Sequence, residues 1–165
     1  MAPKITIRTV QAGDVEAVQS LFEQTERHDG FSFPEDSPYH PANAAVAVVN
    51  ASVNEEDINC GWLAFSDGKL AGIITTPQGL AGGVFVSREF RGQGIAQALI
   101  KERERYFREE LGLTEIERPV RADNEASIRL HTEKLGYRFS QASLDLLKEN
   151  PALPGHTVLY LVKTL

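Results

Sequence analysis

The chain has 165 residues, of which 42% are apolar and 24% charged, and both fractions are ordinary for a soluble globular protein. The length fits one domain over residues 1–165, large enough to bury a core without disulfides or a structural metal. A formal net charge of −6 repels phosphate backbones and disfavours nucleic acid as a partner. Cys60 is the only cysteine, which excludes a disulfide framework and a cysteine-based zinc site, and we predict that it lies in the core.

The beginning of the sequence and its hydropathy argue against a membrane partner. The first ten residues, MAPKITIRTV, lack the apolar segment of a secretory leader. No stretch reaches the roughly 18 apolar residues that a membrane span requires. We therefore predict a cytoplasmic protein.

The first elements are read from alternation and helical spacing. Residues 4–10 alternate between apolar and polar side chains, which predicts a strand. Asp14 is the predicted N-cap of a helix over 15–27, whose apolar residues repeat at helical spacing. Prolines and a glycine over 28–41 predict a long loop, either a binding element or a surface connector.

The middle of the sequence predicts a helix followed by three strands. Residues 44–53 fit a helix or a strand, and Asn43 as a cap favours the helix. Strands are predicted over 60–65 and 70–76, and the dipeptide Asp67–Gly68 between them favours a tight hairpin turn. The third strand is predicted over 82–86.

The remaining elements alternate between helices and strands, which together with the preceding strands predicts a mixed α/β fold. They are a helix over 95–110, a strand over 113–122, a helix from Asn124 to Gly136, a strand or loop from 137, and a strand over 156–165.

The motif with the clearest chemistry is the glycine-rich turn between the strand ending at Val86 and the helix that follows. Glycines allow the backbone to turn tightly and approach a ligand, and the first N–H groups of a helix have no intrahelical acceptor. These groups and the helix dipole favour a pyrophosphate. The candidate binding residues are Arg91, Gly92, Gln93, Gly94, Ile95 and Ala96.

Two other nucleotide motifs fit the turn less well. A P-loop needs GxxxxGK[ST], which the sequence does not contain. The dinucleotide fingerprint GxGxxG is matched by Gly92 and Gly94, but Gln97 occupies its third glycine position. Too few residues follow for a full doubly wound domain.

Two motifs in the same order resemble those of the GNAT superfamily of acetyl-CoA-dependent N-acetyltransferases. Arg91, Gly94 and Ala96 fill its phosphate-binding signature Q/R-x-x-G-x-G/A. The segment NEASIRLHTEKLGY, from Asn124 to Tyr137, is similar to the family's next helix. The order of the predicted elements extends the resemblance over nearly the whole chain.

The resemblance implies a mixed, mainly antiparallel sheet flanked by helices and splayed between its two central strands around the coenzyme. It implies that the pantetheine arm pairs with the backbone of Val84, Phe85 and Val86. It also implies that Asn124 contacts the pantetheine region and that acetyl-CoA is the cosubstrate. No metal is expected, because His28, His40 and His156 have no metal-ligand spacing.

The resemblance also implies roles in catalysis, with two departures from the family pattern. His131 stands where many relatives carry a tyrosine that protonates the leaving thiolate. One additional residue before the glycine makes Thr132 the alternative register. Pro119 stands where some relatives carry a glutamate base, and Glu117 is a candidate replacement on the same side of the strand.

The acceptor is predicted from charge. Carboxylates lie in the segments expected to flank the acceptor cleft, and they favour a small cationic amine: Asp29, Glu35, Asp36 and Asp145. A protein N-terminus or a lysine is the alternative acceptor. A non-catalytic acyl-CoA-binding module is the alternative outside enzymes, and a homodimer is left open.

Overall fold

The computed structural model of the protein describes residues 1–29, 34–38, 40–53, 61–76 and 83–165. These residues form two compact units, Met1–Arg103 and Glu104–Leu165. None of the described helices is long and apolar enough to cross a membrane.

The described residues of the first unit form four strands and two helices, together with the beginning of a third helix. The strands pair antiparallel in the order β1-β2-β3-β4. The elements are β1 Ile5–Thr9, α1 Val15–Asp29, α2 Pro41–Val53, β2 Gly61–Ser66, β3 Lys69–Thr75, β4 Val84–Val86 and α3 Ile95–Glu109.

The core of this unit lies between the sheet and its first two helices. Its apolar side chains come from all of these layers, as the helical and alternating patterns predict: Val10, Val18, Leu21, Ala45, Val49, Leu63 and Ile73. The hairpin between β2 and β3 turns at Asp67 and Gly68, whose φ angles are 47° and 82°. Two positive φ angles are what a tight hairpin turn of this kind requires, so the predicted turn is confirmed.

The boundaries of the predicted loop over 28–41 are wrong. Helix α1 continues to Asp29, and α2 begins at Pro41, because proline has no N–H to lose at a helix start and its φ suits the first turn. Asn43 therefore lies inside α2 and is not its cap; its side-chain N–H group donates to the backbone oxygens of Glu35 and Ser37, both at 2.9 Å.

Asp14 stands immediately before α1, but its side chain does not cap that helix. It ends a short 3₁₀ turn, and its Oδ2 accepts the Gln11 N–H at 2.7 Å. The guanidinium of Arg8 donates to both carboxylate oxygens at 2.8 Å. Cys60, predicted in the core, lies outside the described residues. So do residue 82, predicted to begin a strand, and part of the predicted loop.

The second unit contains three antiparallel strands in the order β5-β7-β6 and two further helices. Exposed and more buried residues alternate along β5 and over residues 158–161 of β7, whereas Val162, on the same face as Val158 and Tyr160, is buried. The elements are β5 Glu115–Arg121, α4 Glu125–Arg129, β6 Arg138–Phe139, α5 Gln141–Glu149 and β7 Val158–Thr164.

Helix α5 corrects the expectation of a strand or loop after residue 137. Only Arg138 and Phe139 form a strand. The Ser140 hydroxyl then accepts the Ser143 N–H at 3.2 Å and caps the helix. The other predicted helices and strands are confirmed with shifted ends, and the fold is mixed α/β with antiparallel sheets flanked by helices.

Candidate functional site

The backbone of the glycine-rich turn has a conformation that glycine adopts without strain. Gly92 and Gly94 have φ angles of 79° and 80°, in the left-handed region where a Cβ is unfavourable. Apart from the glycine itself and its two chain neighbours, no described atom lies within 4 Å of the position that a Cβ would occupy on either residue. The glycines are therefore required by backbone conformation, and the space beside the turn is open.

Helix α3 begins directly after this turn and offers unpaired donors. Its first described intrahelical bond runs from the Ala98 N–H to the Gly94 oxygen at 3.0 Å. The N–H groups of the three residues before Ala98 consequently have no acceptor within the helix. The positive end of the helix dipole adds to these donors, so the arrangement suits an anion.

Close packing fixes the position of this helix start on the sheet. The side chain of Ile95 is 2% exposed. A Cβ on Gly72 of β3 would lie 3.3 Å from Ile95 and from Leu99, and only 2.7 Å from the Phe85 oxygen. A larger residue at Gly72 would therefore displace α3, and this glycine allows the anion site to form where it does.

Strand β4 has one paired edge and one open edge. The Ser87 N–H donates to the Ala71 oxygen at 2.8 Å, and the Thr75 N–H donates to the Gly83 oxygen at 3.4 Å. Because the direction of backbone groups alternates along a strand, Phe85 also faces β3 while Val84 and Val86 face the opposite edge. In the part of the chain that the structure describes, no strand pairs with that edge.

The three β4 residues predicted for the coenzyme therefore differ from one another. Val84 and Val86 present backbone groups to the open edge, and the Val86 oxygen accepts the Arg91 Nε–H at 3.2 Å. The backbone of Phe85 belongs to the β3 ladder, and its ring packs edge-to-face on Phe22 with the centroids 5.4 Å apart.

In the second unit, Asn124 is confirmed as the cap of α4. Its Oδ1 accepts the Ser127 N–H at 3.2 Å, and its own N–H donates to the Arg121 oxygen at 3.0 Å. The residue is exposed. Its side-chain NH₂ group has no acceptor among the described residues, so this group is a donor available to a ligand.

His131 lies inside the second unit, with 1% of its surface exposed. Its Nε2 is 2.6 Å from Nη1 of Arg118, and its Nδ1 is 2.7 Å from the Ser127 oxygen. A guanidinium can only donate, so Nε2 accepts and Nδ1 carries the hydrogen. Burial lowers the pKa of Arg118 from its ordinary value, which is the cost of enclosing this cation.

The helix containing His131 changes its winding at this point. Residues Leu130–Lys134 form a π turn between α4 and Gly136. A π turn contains one more residue than an α turn. This chain also has one residue more than the family pattern between His131 and the glycine, so the π turn provides the place for it. Thr132, the alternative register, is partly buried, and its hydroxyl donates to the Ile128 oxygen at 2.8 Å.

The exposed face of the second sheet carries the candidate base. Glu117 and Pro119 lie on this face, and Pro119 pairs with Tyr160 of β7, which is 42% exposed. Val158 on the same face is 46% exposed. Among the described residues, no cation lies within ion-pair distance of Glu117. This acidic and apolar surface was not recognised from the sequence, because residues 158–162 are a continuous apolar run that does not distinguish exposed from buried positions.

The other predicted acidic residues are dispersed within their units. Asp29 ends α1, while Glu35 and Asp36 lie in an exposed turn. Asp145 is exposed on α5 and accepts a hydrogen bond from Gln141 at 2.9 Å. Within the described ranges, no group of three or more histidine, cysteine or acidic residues could hold a metal ion.

Comparison with known proteins gives one family and many similar folds. The model of the acetyltransferase (GNAT) family matches residues 17–137. No curated protein matches the sequence. Among solved structures, RimL, a ribosomal L7/L12 alpha-N-protein acetyltransferase in complex with coenzyme A, has a TM-score of 0.73 at 14% identity, covering 98% of this chain and 94% of its own.

Two further solved structures have similar folds. The PaiA N-acetyltransferase of Thermoplasma acidophilum in complex with coenzyme A has a TM-score of 0.68 at 17% identity, covering 98% of this chain and 99% of its own. A chimera of the spermidine N-acetyltransferase SpeG from Vibrio cholerae and hSSAT has a TM-score of 0.67 at 18% identity, and the match covers 97% of this chain and 95% of the chimera.

Proposed function

Because the chain belongs to the acetyltransferase (GNAT) family, we propose that it transfers an acetyl group from acetyl-CoA to the primary amine of a small cationic molecule by direct attack. The family makes the protein an acyltransferase. The acetyl-CoA specificity, the acceptor class and the residue assignments that follow are our proposals.

The observation that carries the proposal is the anion site at the start of α3. Left-handed glycines at 92 and 94 turn the chain, and the N–H groups of the first helical turn have no acceptor within the helix. A pyrophosphate is an anion that such a turn can bind. The proposed pyrophosphate ligands are Arg91, Gly92, Gln93, Gly94, Ile95 and Ala96.

The pantetheine arm would extend from this site along the open edge of β4. Of the three residues assigned to it, Val84 and Val86 supply the backbone groups that face that edge, while Phe85 supplies packing. Asn124 is proposed as a further contact through its side-chain NH₂ group. The family match runs across both compact units, which supports one acetyltransferase domain over residues 1–165.

Acetyl transfer makes four demands on such a site. The amine must lose a proton, since an alkylamine has a pKa of about 10 and is mostly protonated at neutral pH. It must be held against the thioester carbon, where positioning lowers the barrier. The oxyanion needs donors, and the open-edge N–H groups of β4 are candidates. The coenzyme thiolate then leaves, and a nearby acid can assist it.

A cationic acceptor is supported by the exposed face of the β5–β7 sheet. Glu117 has no described cationic partner, and Tyr160 is diagonal to it across the two strands. A carboxylate attracts an ammonium group, and an aromatic face binds the same cation. Glu117 is also our candidate for the base that removes the amine proton.

The test is a turnover assay that reports free thiol from acetyl-CoA with a panel of acceptors. The panel contains diamines and polyamines, neutral arylamines, and peptides with a free N-terminus or an internal lysine. The peptides are included because RimL is named as a protein N-terminal acetyltransferase. We expect kcat/KM to be highest for the small cations, and preference for a peptide would overturn the acceptor proposal.

A further inference from the structure

The glycine-rich turn is attached to the sheet by a side-chain hydrogen bond from Ser66. Ser66 ends β2 and is 3% exposed. Its hydroxyl donates to Oε1 of Gln93, in the middle of the turn, at 2.8 Å. The two residues are 27 positions apart in sequence, so the bond depends on the tertiary fold.

This bond determines how the Gln93 amide is oriented. The oxygen and the NH₂ group are the two ends of one planar amide, so holding Oε1 on the Ser66 hydroxyl also fixes the direction of Nε2. Among the described residues, no acceptor binds Nε2. Gln93 is exposed and stands between the two open glycines. The oriented amide therefore adds a side-chain donor to the backbone donors of the turn.

The turn that Ser66 holds is exposed to solvent. Arg91, Gly92, Gln93 and Gly94 are all exposed, whereas the next residue, Ile95, is buried. The other described side-chain bond from the turn is made by Arg91, which is exposed and reaches the Val86 oxygen at 3.2 Å. A buried hydroxyl is a more rigid anchor than an exposed arginine, and rigid anchoring of a binding loop lowers the entropy lost on binding.

We propose that Ser66 is a positioning residue for the coenzyme and that it acts by orienting the Gln93 amide to donate to a phosphate oxygen. The inference rests on the proposed function, because it concerns the same pyrophosphate site. Ser66 does not touch the coenzyme, and its contribution belongs to coenzyme affinity and not to the chemical step.

The test is a double-mutant cycle with Ser66→Ala and Gln93→Ala, read by calorimetric titration with coenzyme A. Each single variant should raise the Kd about three- to tenfold, or about 0.7–1.4 kcal/mol. The double variant should be little worse than Gln93→Ala alone, because the two residues act through one interaction. In kinetics, KM for acetyl-CoA should rise while kcat stays unchanged.

Two controls separate positioning from loss of a buried hydroxyl. Ser66→Thr keeps the hydroxyl, so its Kd for coenzyme A should lie within about twofold of the parent value. Ser143 is equally buried, at 3% exposure, and accepts the Tyr160 N–H at 2.8 Å, so Ser143→Ala removes a similar contact away from the turn. It should lower the melting temperature and leave the Kd unchanged.

The outcomes distinguish this inference from the proposed function. If the parent protein does not bind coenzyme A, the proposed function fails. If the parent binds and Gln93→Ala binds equally well, the role of the Gln93 amide is refuted, whether or not Ser66→Ala folds. Additive losses in the cycle would show that Ser66 does not act through Gln93.

Discussion

At the scale of single residues, Gly94 tests the coenzyme site. Gly94→Glu places a carboxylate beside the proposed pyrophosphate, and we expect coenzyme A affinity to fall tenfold or more, about 1.4 kcal/mol. The left-handed φ of 80° strains any side chain here. Gly94→Gln carries the same strain without the charge, so the difference in Kd between the two variants measures the charge alone.

A second control addresses folding. Gly68 has a φ of 82° in the β2–β3 hairpin, and its Cβ position is also open. Gly68→Glu should therefore destabilise the fold about as much as Gly94→Glu while leaving coenzyme A affinity unchanged. Equal affinity of the parent and of folded Gly94→Glu in calorimetric titration would exclude a pyrophosphate at this turn.

His131 allows two opposed expectations. As the acid implied by the family resemblance, its replacement by alanine should lower kcat roughly ten- to a thousandfold with unchanged acetyl-CoA affinity. Its contacts predict a different result, because Nε2 accepts from Arg118 and a proton there would oppose the guanidinium. On that basis His131→Ala should cost about 1–3 kcal/mol of stability, since Arg118 loses its acceptor, with near-normal kcat.

Steady-state kinetics and urea unfolding of His131→Ala decide between these expectations. A kcat within twofold of the parent removes the acid role, and Thr132→Ala then tests the alternative register. The Thr132 hydroxyl already donates to the Ile128 oxygen, so a loss of kcat in that variant would require the hydroxyl to change partners. A thiolate is a fairly stable leaving group, because thiols have pKa values of about 8.5. Transfer can therefore proceed without an acid.

At the scale of elements, the connection between β1 and α1 makes stability depend on pH. Hydrogen bonds from Arg8 lower the pKa of Asp14 below its ordinary value. A carboxyl whose pKa is lower in the folded state stabilises the fold above its unfolded pKa, and this stabilisation is lost as pH falls through the folded-state pKa. Because the Arg8 side chain is 40% exposed, solvent screens the pair.

We therefore expect Asp14→Asn to cost about 0.5–1 kcal/mol at pH 7 and less as the pH falls below about 4. Urea unfolding of the parent and the variant at pH 7 and pH 3 measures the difference. Asp36→Asn, an exposed carboxyl in the turn before α2, serves as the control. A destabilisation by Asp14→Asn that is equally large at both pH values would show that the ion pair is not its cause.

At the scale of the whole molecule, ligand-induced stabilisation tests the choice of coenzyme. A ligand that binds only the folded state raises the melting temperature by mass action. The turn lacks the third glycine of the dinucleotide fingerprint. Coenzyme A should therefore raise the melting temperature while NAD should not, in the same buffer and at equal concentrations. Stabilisation by NAD without stabilisation by coenzyme A would overturn the proposed function.

Local sequence patterns were sufficient for most elements and for the phosphate turn. Alternation in 4–10 predicted a strand, because side chains of a strand face a buried and an exposed side in turn. The segments 113–122 and 156–165 were also predicted as strands. The Asp67–Gly68 turn and the Asn124 cap were predicted because both depend on neighbouring residues only. The glycine turn was recognised for the same reason, since positive φ angles are a local requirement.

Tertiary structure decided what depends on contacts outside a residue's own element. Asparagine often caps helices, but Asn43 lies within α2, and its side chain donates to the backbone oxygens of Glu35 and Ser37 before the helix. The sequence could not show that His131 is enclosed with Arg118, because the π turn sets its direction. Nor could it pair Ser66 with Gln93, because a hydrogen bond across 27 positions exists only once the strands have assembled.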